Sequence, residues 1–426
     1  MILFLIRRYN DIDHLTPVIH ELLKSKQKCT VLSINPHLKI HYDKRLNYLK
    51  SNFDVKIDYF NNINNGSFLN KIFYYLISNV SNINKNDIFI KISILKFLKI
   101  LNVLLKKFTS QSFYNKLINS VFNYKFNYDV ISKISPQIIV MDWVKEYQHN
   151  THFINKVAKI KNIPLVALPH GIPLWTNNLG TYKEVELGTT NDKKNFDFFD
   201  HLVVTTKNEM KRKINNGINK NKITSLGSPR FSKQWKKIYD DIYKEESIPF
   251  IDNNKINVVF MEHSYHYLGN KEITLKSLEL ISKLDFVNLL IKPHTRNNKF
   301  FNSELLNFGV DCSDFSSLSL IKSSDVIICT ISSILIEVLL QNKILIYPNY
   351  FDKNHMIFQD MKACWEVNNE NELINSFHKL KTNKNFKSYS KSSVDSFLNE
   401  VIYNGNQKIN PLSSYKDFIL SKKIKP

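Results

Sequence analysis

Two adjacent serines, Ser332 and Ser333, open a helical pattern directly after a strand-length apolar run, in SSDVIICTISSILIEVLLQNKILIYPNYFD. Residues 326–329 read as the strand and residues 332–340 as the helix, so both serines fall at the helix N-cap and first turn. Exposed backbone N–H groups and the helix dipole there favour a phosphate, and the hydroxyls add donors. Glu337, one turn on, is in reach of a ribose hydroxyl; plain serine capping and a surface glutamate explain the same residues without a ligand. A second group, Lys292 and His294 in IKPH with Arg296 two residues on, follows a strand at residues 287–291. Open α/β sheets bind ligands beyond the C-terminal ends of their strands, and a Lys/His/Arg group there suits a mono- or diphosphate. A third motif is LPHGIP, residues 168–173, in which Gly171 permits a sharp turn and leaves His170 at the mouth of the sheet. A histidine titrating near neutrality suits deprotonation of a hydroxyl. Arg230 sits in the tight turn LGSPRF. The N-terminal stretch RRYNDIDH brings Arg7, Arg8, Asp11 and Asp13 to the loop after the first strand. Asp11 and Asp13 are rival candidates for a base, and Asp142, closing the strand at residues 137–141, is a third carboxylate.

Four motifs in one order, PHG, GSPRF, KPH and the run through SSILIEVLL, resemble the CDP-glycerol glycerophosphotransferase family. The same run is similar to the related Kdo transferases and bacterial polysialyltransferases. The resemblance covers roughly residues 165–355. It implies that His294 and the Ser332–Ser333 pair hold a cytidine nucleotide, that His170 is the base, and that Arg230 matches the arginine of the family's PR turn. Two positions depart from the pattern: Thr295 replaces the proline expected after His294, and TISS replaces DYSS. The fold implied is GT-B, two doubly wound Rossmann-like domains facing a cleft, in which the loop holding Arg7 and Arg8 faces the acceptor. The pattern from Leu15 to Leu23 is similar to non-hydrolysing UDP-GlcNAc 2-epimerases, which share that fold.

The elements that must carry these residues follow from apolar periodicity. Residues 1–6 (MILFLI) read as a buried strand, residues 12–23 as a helix and residues 29–34 (CTVLSI) as a second strand, the start of a parallel α/β domain. Further strands are expected at residues 165–168 and 202–205. A second series begins near Lys255, with strands at residues 256–261, 287–291, 326–329 and 344–347. The domain plan is then 1–235, a charged connection at 236–254, a donor-binding domain at 255–387 and a polar helical tail at 388–426. A helical insertion at about 61–127 interrupts the first domain.

Composition narrows the function classes. The chain has 426 residues and suits two cores. Its 9 glycines cannot assemble a Gly-rich phosphate loop. The 4 cysteines are scattered and read as reduced thiols. No leader or membrane-spanning run is expected, which suits a cytoplasmic protein, on the inner face of the plasma membrane if peripheral. The formal charge of +21 is nearly all lysine, whereas arginine is confined to positions 7, 8, 45, 212, 230 and 296. Retained guanidinium groups in such a chain point to forked hydrogen bonding. From Lys91 to Phe108 (KISILKFLKILNVLLKKF) lysines gather on one helical side, which suits an anionic membrane surface or, equally, a helix packed on the sheet. Charge alone would admit nucleic acid, but no recognised motif supports it, so no nucleic-acid partner is expected.

The expected activity is metal-independent, inverting transfer of a sugar from a CMP- or CDP-linked donor. Its acceptor is a hydroxyl of a bacterial surface polysaccharide, glycan or lipid-linked; no DxD-type carboxylate pair stands beside a sugar-binding turn, and no cofactor is expected. Polyol-phosphate transfer from CDP-glycerol or CDP-ribitol stands second, and 2-epimerisation third.

Overall fold

The computed structural model describes residues 1–35, 38–63, 124–146, 151–169, 171–176, 195–243, 246–263, 265, 269–294, 304–330 and 332–424. The stretch from Lys91 to Phe108, most of the expected insertion, His170 and Arg296 lie outside them. The chain divides into two compact units. The first comprises Met1–Gly171, Asn191–Ile242 and Asn410–Pro426, and the second Ile172–Thr190 and Tyr243–Ile409.

The first unit holds a parallel sheet of β1 (Ile2–Ile6), β2 (Cys29–Ser33), β3 (Lys56–Tyr59), β4 (Ile138–Asp142), β5 (Leu165–Leu168), β6 (His201–Val204) and β7 (Ile223–Ser225). Its order is β3-β2-β1-β4-β5-β6-β7. Continuous apolar runs form the central strands because helices cover both faces. Leu3, Leu5, Ile139 and Met141 face the helices Tyr124–Ile134 and Thr151–Ile160. Ile2, Phe4, Ile6, Ile138 and Val140 face the helices Tyr9–Lys24 and Pro411–Lys422. Each such side chain contributes about 1.5–3 kcal/mol by leaving water. Chain order reverses between β1 and β4, and such a switch point is where doubly wound sheets bind ligands.

The second unit repeats the plan with β8 (Ile256–Met261), β9 (Val287–Lys292), β10 (Val310–Asp311), β11 (Val326–Cys329), β12 (Ile344–Pro348) and β13 (Trp365–Val367). These are parallel and ordered β10-β9-β8-β11-β12-β13, so the reversal falls between β8 and β11.

The observed division differs from the expected one in three places, each for a packing reason. The first unit runs on to Ile242 because the helix Lys233–Ile242 buries Trp235 completely, its ring 5.6 Å from that of His20. Residues 172–176 belong to the second unit, where Trp175 bridges Met356 antiparallel and Ile357 donates to the Leu174 carbonyl at 2.8 Å. The tail is not a polar appendage. The helix Lys391–Tyr403 buries Phe397, Val401 and Ile402 in the second unit, whereas the helix Pro411–Lys422 buries Leu412, Tyr415 and Ile419 in the first. Among the described residues, no helix is long and apolar enough to cross a membrane.

Candidate functional site

At the switch point of the first sheet, the loop after β1 meets the end of β4. Arg7 is buried, and its guanidinium grips Asp142 with two nitrogens, Nε donating to Oδ1 at 2.8 Å and Nη2 to Oδ2. Burial works against the Arg7 charge, but Asp142 outweighs it, so the guanidinium is held firmly protonated. Asp11 Oδ2 accepts the Arg7 and Arg8 backbone N–H groups at 2.8 and 3.0 Å, closing the first turn of the helix Tyr9–Lys24. Complete burial, reinforced by Asp142, raises the Asp11 carboxyl above the carboxylate range. Asp11 is therefore used as a helix-terminal acceptor, and its Oδ1 is buried with no hydrogen-bond partner among the described residues.

Asp13 lies between two guanidinium groups. Arg45 Nη1 donates to Oδ1 at 2.8 Å, and Arg230 Nε pairs with Oδ2. Burial pushes the Asp13 carboxyl up, but Arg230 and Arg45 together outweigh it and hold it low. A carboxylate with both oxygens so engaged is a poor proton acceptor. Arg45 also chelates Asp43, Nη2 to Oδ2 at 2.6 Å and Nε to Oδ1 at 3.1 Å, while Asp43 caps the helix Lys44–Asn52. Sequence reasoning passed over Arg45, although the scarcity of arginine singled it out. Arg230, grouped by resemblance with the donor residues, is in the first unit, its guanidinium 4.3 Å from the Phe231 ring. Gly227 sets that turn with a φ of 80°, a conformation suited to glycine. Gly171, beside His170 in sequence, lies next to this edge: a Cβ there would stand 3.9 Å from Asn10 Nδ2.

The second sheet aligns Lys292, Met261 and Cys329 at the ends of β9, β8 and β11. The residues just beyond them form the edge of the switch point. Glu262, buried, accepts the His294 backbone N–H at 2.6 Å, and its own N–H donates to the Lys292 carbonyl at 3.0 Å. His263, also buried, stacks 4.6 Å from Tyr265 and packs on Gly269, where a Cβ would lie 2.2 Å from its Nε2. Burial, with His294 nearby, lowers the His263 imidazole to about 4, so it is neutral at physiological pH. Neither Glu262 nor His263 was singled out from the sequence, although a Glu-His pair directly after an apolar strand was a usable signal.

The remaining residues of this edge are placed as follows. The Lys292 ammonium donates to the Ser313 and Phe315 carbonyls at 2.6 and 2.7 Å, which fixes the loop before the helix Ser317–Ser323. That engagement differs from the expected role as a bare phosphate cation. Ser333 is the N-cap of the helix Ile334–Leu340 but makes no side-chain cap bond. Ser332 takes that part, its Oγ accepting the Ile334 N–H at 3.3 Å. The Thr330 hydroxyl is buried without a hydrogen-bond partner among the described residues. Glu337 is buried rather than on the surface, and its Oε1 accepts from Gln341 at 2.8 Å. Among the described residues, no group of three or more His, Cys, Asp or Glu is placed to hold a metal ion.

Two parallel sheets, each carrying the 3-2-1-4-5-6 order of a Rossmann fold (the first with a seventh strand, β7, beyond it) and each with polar groups at its switch point, make a GT-B-type fold. The chain belongs to the CDP-glycerol:poly(glycerophosphate) glycerophosphotransferase family, whose model matches residues 125–403. The match spans His170, Arg230, Lys292, His294, Ser332 and Ser333, and leaves out the loop of Arg7 to Asp13. No curated protein matches the chain. Among solved structures it is similar to S. aureus MnaA with UDP, at 12% identity and a TM-score of 0.56 over 100% of this chain and 98% of that one. The UDP-GlcNAc 2-epimerase of Neisseria meningitidis bound to UDP-GlcNAc gives 15% identity and a TM-score of 0.54 over 99% and 98%. The putative UDP-N-acetylglucosamine 2-epimerase of Listeria monocytogenes gives 11% and 0.55 over 99% and 94%. At these identities the likeness shows the fold alone.

Proposed function

We propose that this transferase moves a polyol phosphate from a CDP-linked donor, CDP-glycerol or CDP-ribitol, onto a hydroxyl of a cell-surface polymer. The observation that carries this reading is the family match over residues 125–403. It reverses the order expected from sequence, in which transfer of a cytidine-activated sugar stood first, because the matched family is defined by a polyol-phosphate donor. In the proposed reaction the acceptor oxygen attacks the distal phosphorus of the donor. A phosphodiester forms, the anhydride P–O bond breaks, and CMP leaves. His170 takes the proton of the acceptor hydroxyl, and the engagement of Asp13 and Asp142 by guanidinium groups favours it over those carboxylates. His294, set by Glu262, and the turn of Ser332 and Ser333 bind the nucleotide. With substrates held by N–H and hydroxyl groups, much of the rate would come from positioning and charge stabilisation.

The products discriminate. Transfer from CDP-glycerol releases CMP and leaves a new phosphorus in the polymer; transfer from a CDP-sugar releases CDP and leaves none. The expected result with CDP-glycerol or CDP-ribitol and a poly(glycerol phosphate) acceptor is CMP release with a new phosphodiester resonance by 31P NMR. CDP release, or turnover with CMP-sugars alone, would sink the polyol reading and restore the sugar one. His170→Ala should lower kcat by about 10²–10⁴-fold with donor affinity unchanged. His294→Ala and Ser333→Ala should instead weaken CDP binding in calorimetry.

A further inference from the structure

The first switch point holds more carboxyls than cations. Its side chains pair off as Arg7 with Asp142, Arg45 with Asp43 and Arg230 with Asp13, which leaves Asp11 without a counter-ion of its own. Arg7 Nε does stand 4.0 Å from Asp11 Oδ2, but it is turned onto Asp142 Oδ1 at 2.8 Å. Arg7, Asp11 and Asp142 are all buried. Two ionised carboxylates around one guanidinium would leave a negative charge where water cannot solvate it. The cluster becomes neutral by keeping one proton. The fork of Arg7 makes Asp142 the ionised partner, so the proton falls to Asp11.

Hydrogen bonding says which oxygen carries it. Asp11 Oδ2 accepts the Arg7 and Arg8 backbone N–H groups at 2.8 and 3.0 Å, so a proton there would face two donors. Oδ1 is buried and accepts nothing among the described residues, which suits an O–H. Burial first, then Asp142, raises this carboxyl to about 8; Arg7 and the two N–H groups pull the other way and are outweighed. The surrounding charges do not supply the missing cation. Arg8 is exposed and meets Asp11 through its backbone. On the helix Tyr9–Lys24, His14 acts on Asp13, which Arg45 and Arg230 already hold. The loops after β2 and β5 bring Asn35 and Gly171, which carry no charge. We propose that the first switch point stores a proton on Asp11 and works as a pH-sensitive switch, neutral while the proton is held and anionic once it leaves. Loss of the proton sets Asp11 against Asp142 in competition for one guanidinium, which slackens the hold of β4 on the turn after β1. This switch does not depend on the group that the enzyme transfers.

The test is infrared difference spectroscopy on the full chain, which reads the carbonyl stretch of a protonated carboxyl directly. At pH 7 the wild type should show one such band that Asp11→Asn lacks, and the band should fade as pH rises through about 8. Asp352, lifted to about 7, contributes to both spectra and cancels. In Asp142→Asn, Arg7 is left to Asp11, and the band should be gone at pH 7. His14→Gln should keep it. A wild type without the band at pH 7, a band that survives in Asp142→Asn, or one that His14→Gln abolishes overturns the proposal. Wild type against Asp142→Asn decides the matter even if Asp11→Asn does not fold. Calorimetry gives a second reading that needs no band assignment. A carboxyl raised in the folded state contributes stability that is present at acid pH and lost as pH rises to about 8. Asp11→Asn keeps an oxygen for the two N–H groups and has no proton to lose. Its Tm should therefore climb relative to wild type from pH 5 to 8 and hold level above. A gap that stays constant over that range overturns the proposal as well.

Discussion

The two sheet edges solve the problem of buried polarity in opposite ways. At the first, charge meets charge: Arg7 with Asp142, Arg45 with Asp43 and Asp13, and Arg230 with Asp13. At the second, polar groups are neutral or turned to the backbone: His263 is deprotonated, Glu262 holds a backbone N–H, and Lys292 holds two carbonyls. An ion-pair network in which guanidinium groups meet carboxylates shapes loops but has little net charge left to offer a ligand. An edge whose one described carboxylate, Glu262, is turned to a backbone N–H leaves imidazole and hydroxyl groups to face a ligand.

The contrast can be broken in three ways. The largest effect is expected from Arg7→Met, which strands a buried Asp142 and should cost about 3–5 kcal/mol in denaturant unfolding. Adding Asp142→Leu should restore most of it; a loss under about 1 kcal/mol for Arg7→Met alone would show that charge does not hold the first edge. Next is Gly269→Ala, whose methyl would meet the His263 ring at 2.2 Å. It should cost about 1–3 kcal/mol by overpacking and weaken nucleotide binding. Gly171→Ala meets nothing nearer than 3.9 Å and should stay within about 0.5 kcal/mol of wild type. Equal costs for the two glycines would show that His263 is not wedged in place. The smallest effect concerns Asp352, whose carboxyl burial lifts to about 7. A pKa raised in the folded state gives stability that is present at acid pH and lost as pH rises through about 7. Between pH 5 and 8 the Tm should therefore fall in the wild type and fall less in Asp352→Asn, which can still accept the Asn354 N–H. Parallel curves would remove Asp352 as a source of the slope.

The interior of both sheets was legible because strands covered on two faces must be apolar throughout. β5, β8 and β11 fall on their expected residues, and β1, β2, β4, β6, β9 and β12 within one residue at either end. The four strands that were not foreseen, β3, β7, β10 and β13, are the outer strands of the two sheets. WEV alternates in burial, KIDY buries Ile57 alone, and the two-residue β10 is half exposed, so none of these presents an apolar run. The site was legible where a polar residue closes a strand, as with Asp142 and Lys292. It was hidden where a partner comes from elsewhere in the chain, as Arg45 does for Asp13, 32 positions away. The exchange of roles between Ser332 and Ser333 depends on the backbone angles of a single turn, which residue type alone does not set.

The helix Pro411–Lys422 also bears on how the protein is made. Its Tyr415 lies inside the core of the first unit and bonds the Gly227 carbonyl at 2.9 Å, in the turn that carries Arg230. Translation delivers that helix only after the whole of the second unit. A nascent first unit therefore carries an uncovered apolar face and an unbraced Arg230 turn while its neighbour folds. The last contacts of the first unit, the cover of that face and the Tyr415 brace on the Gly227 turn, therefore wait for this helix.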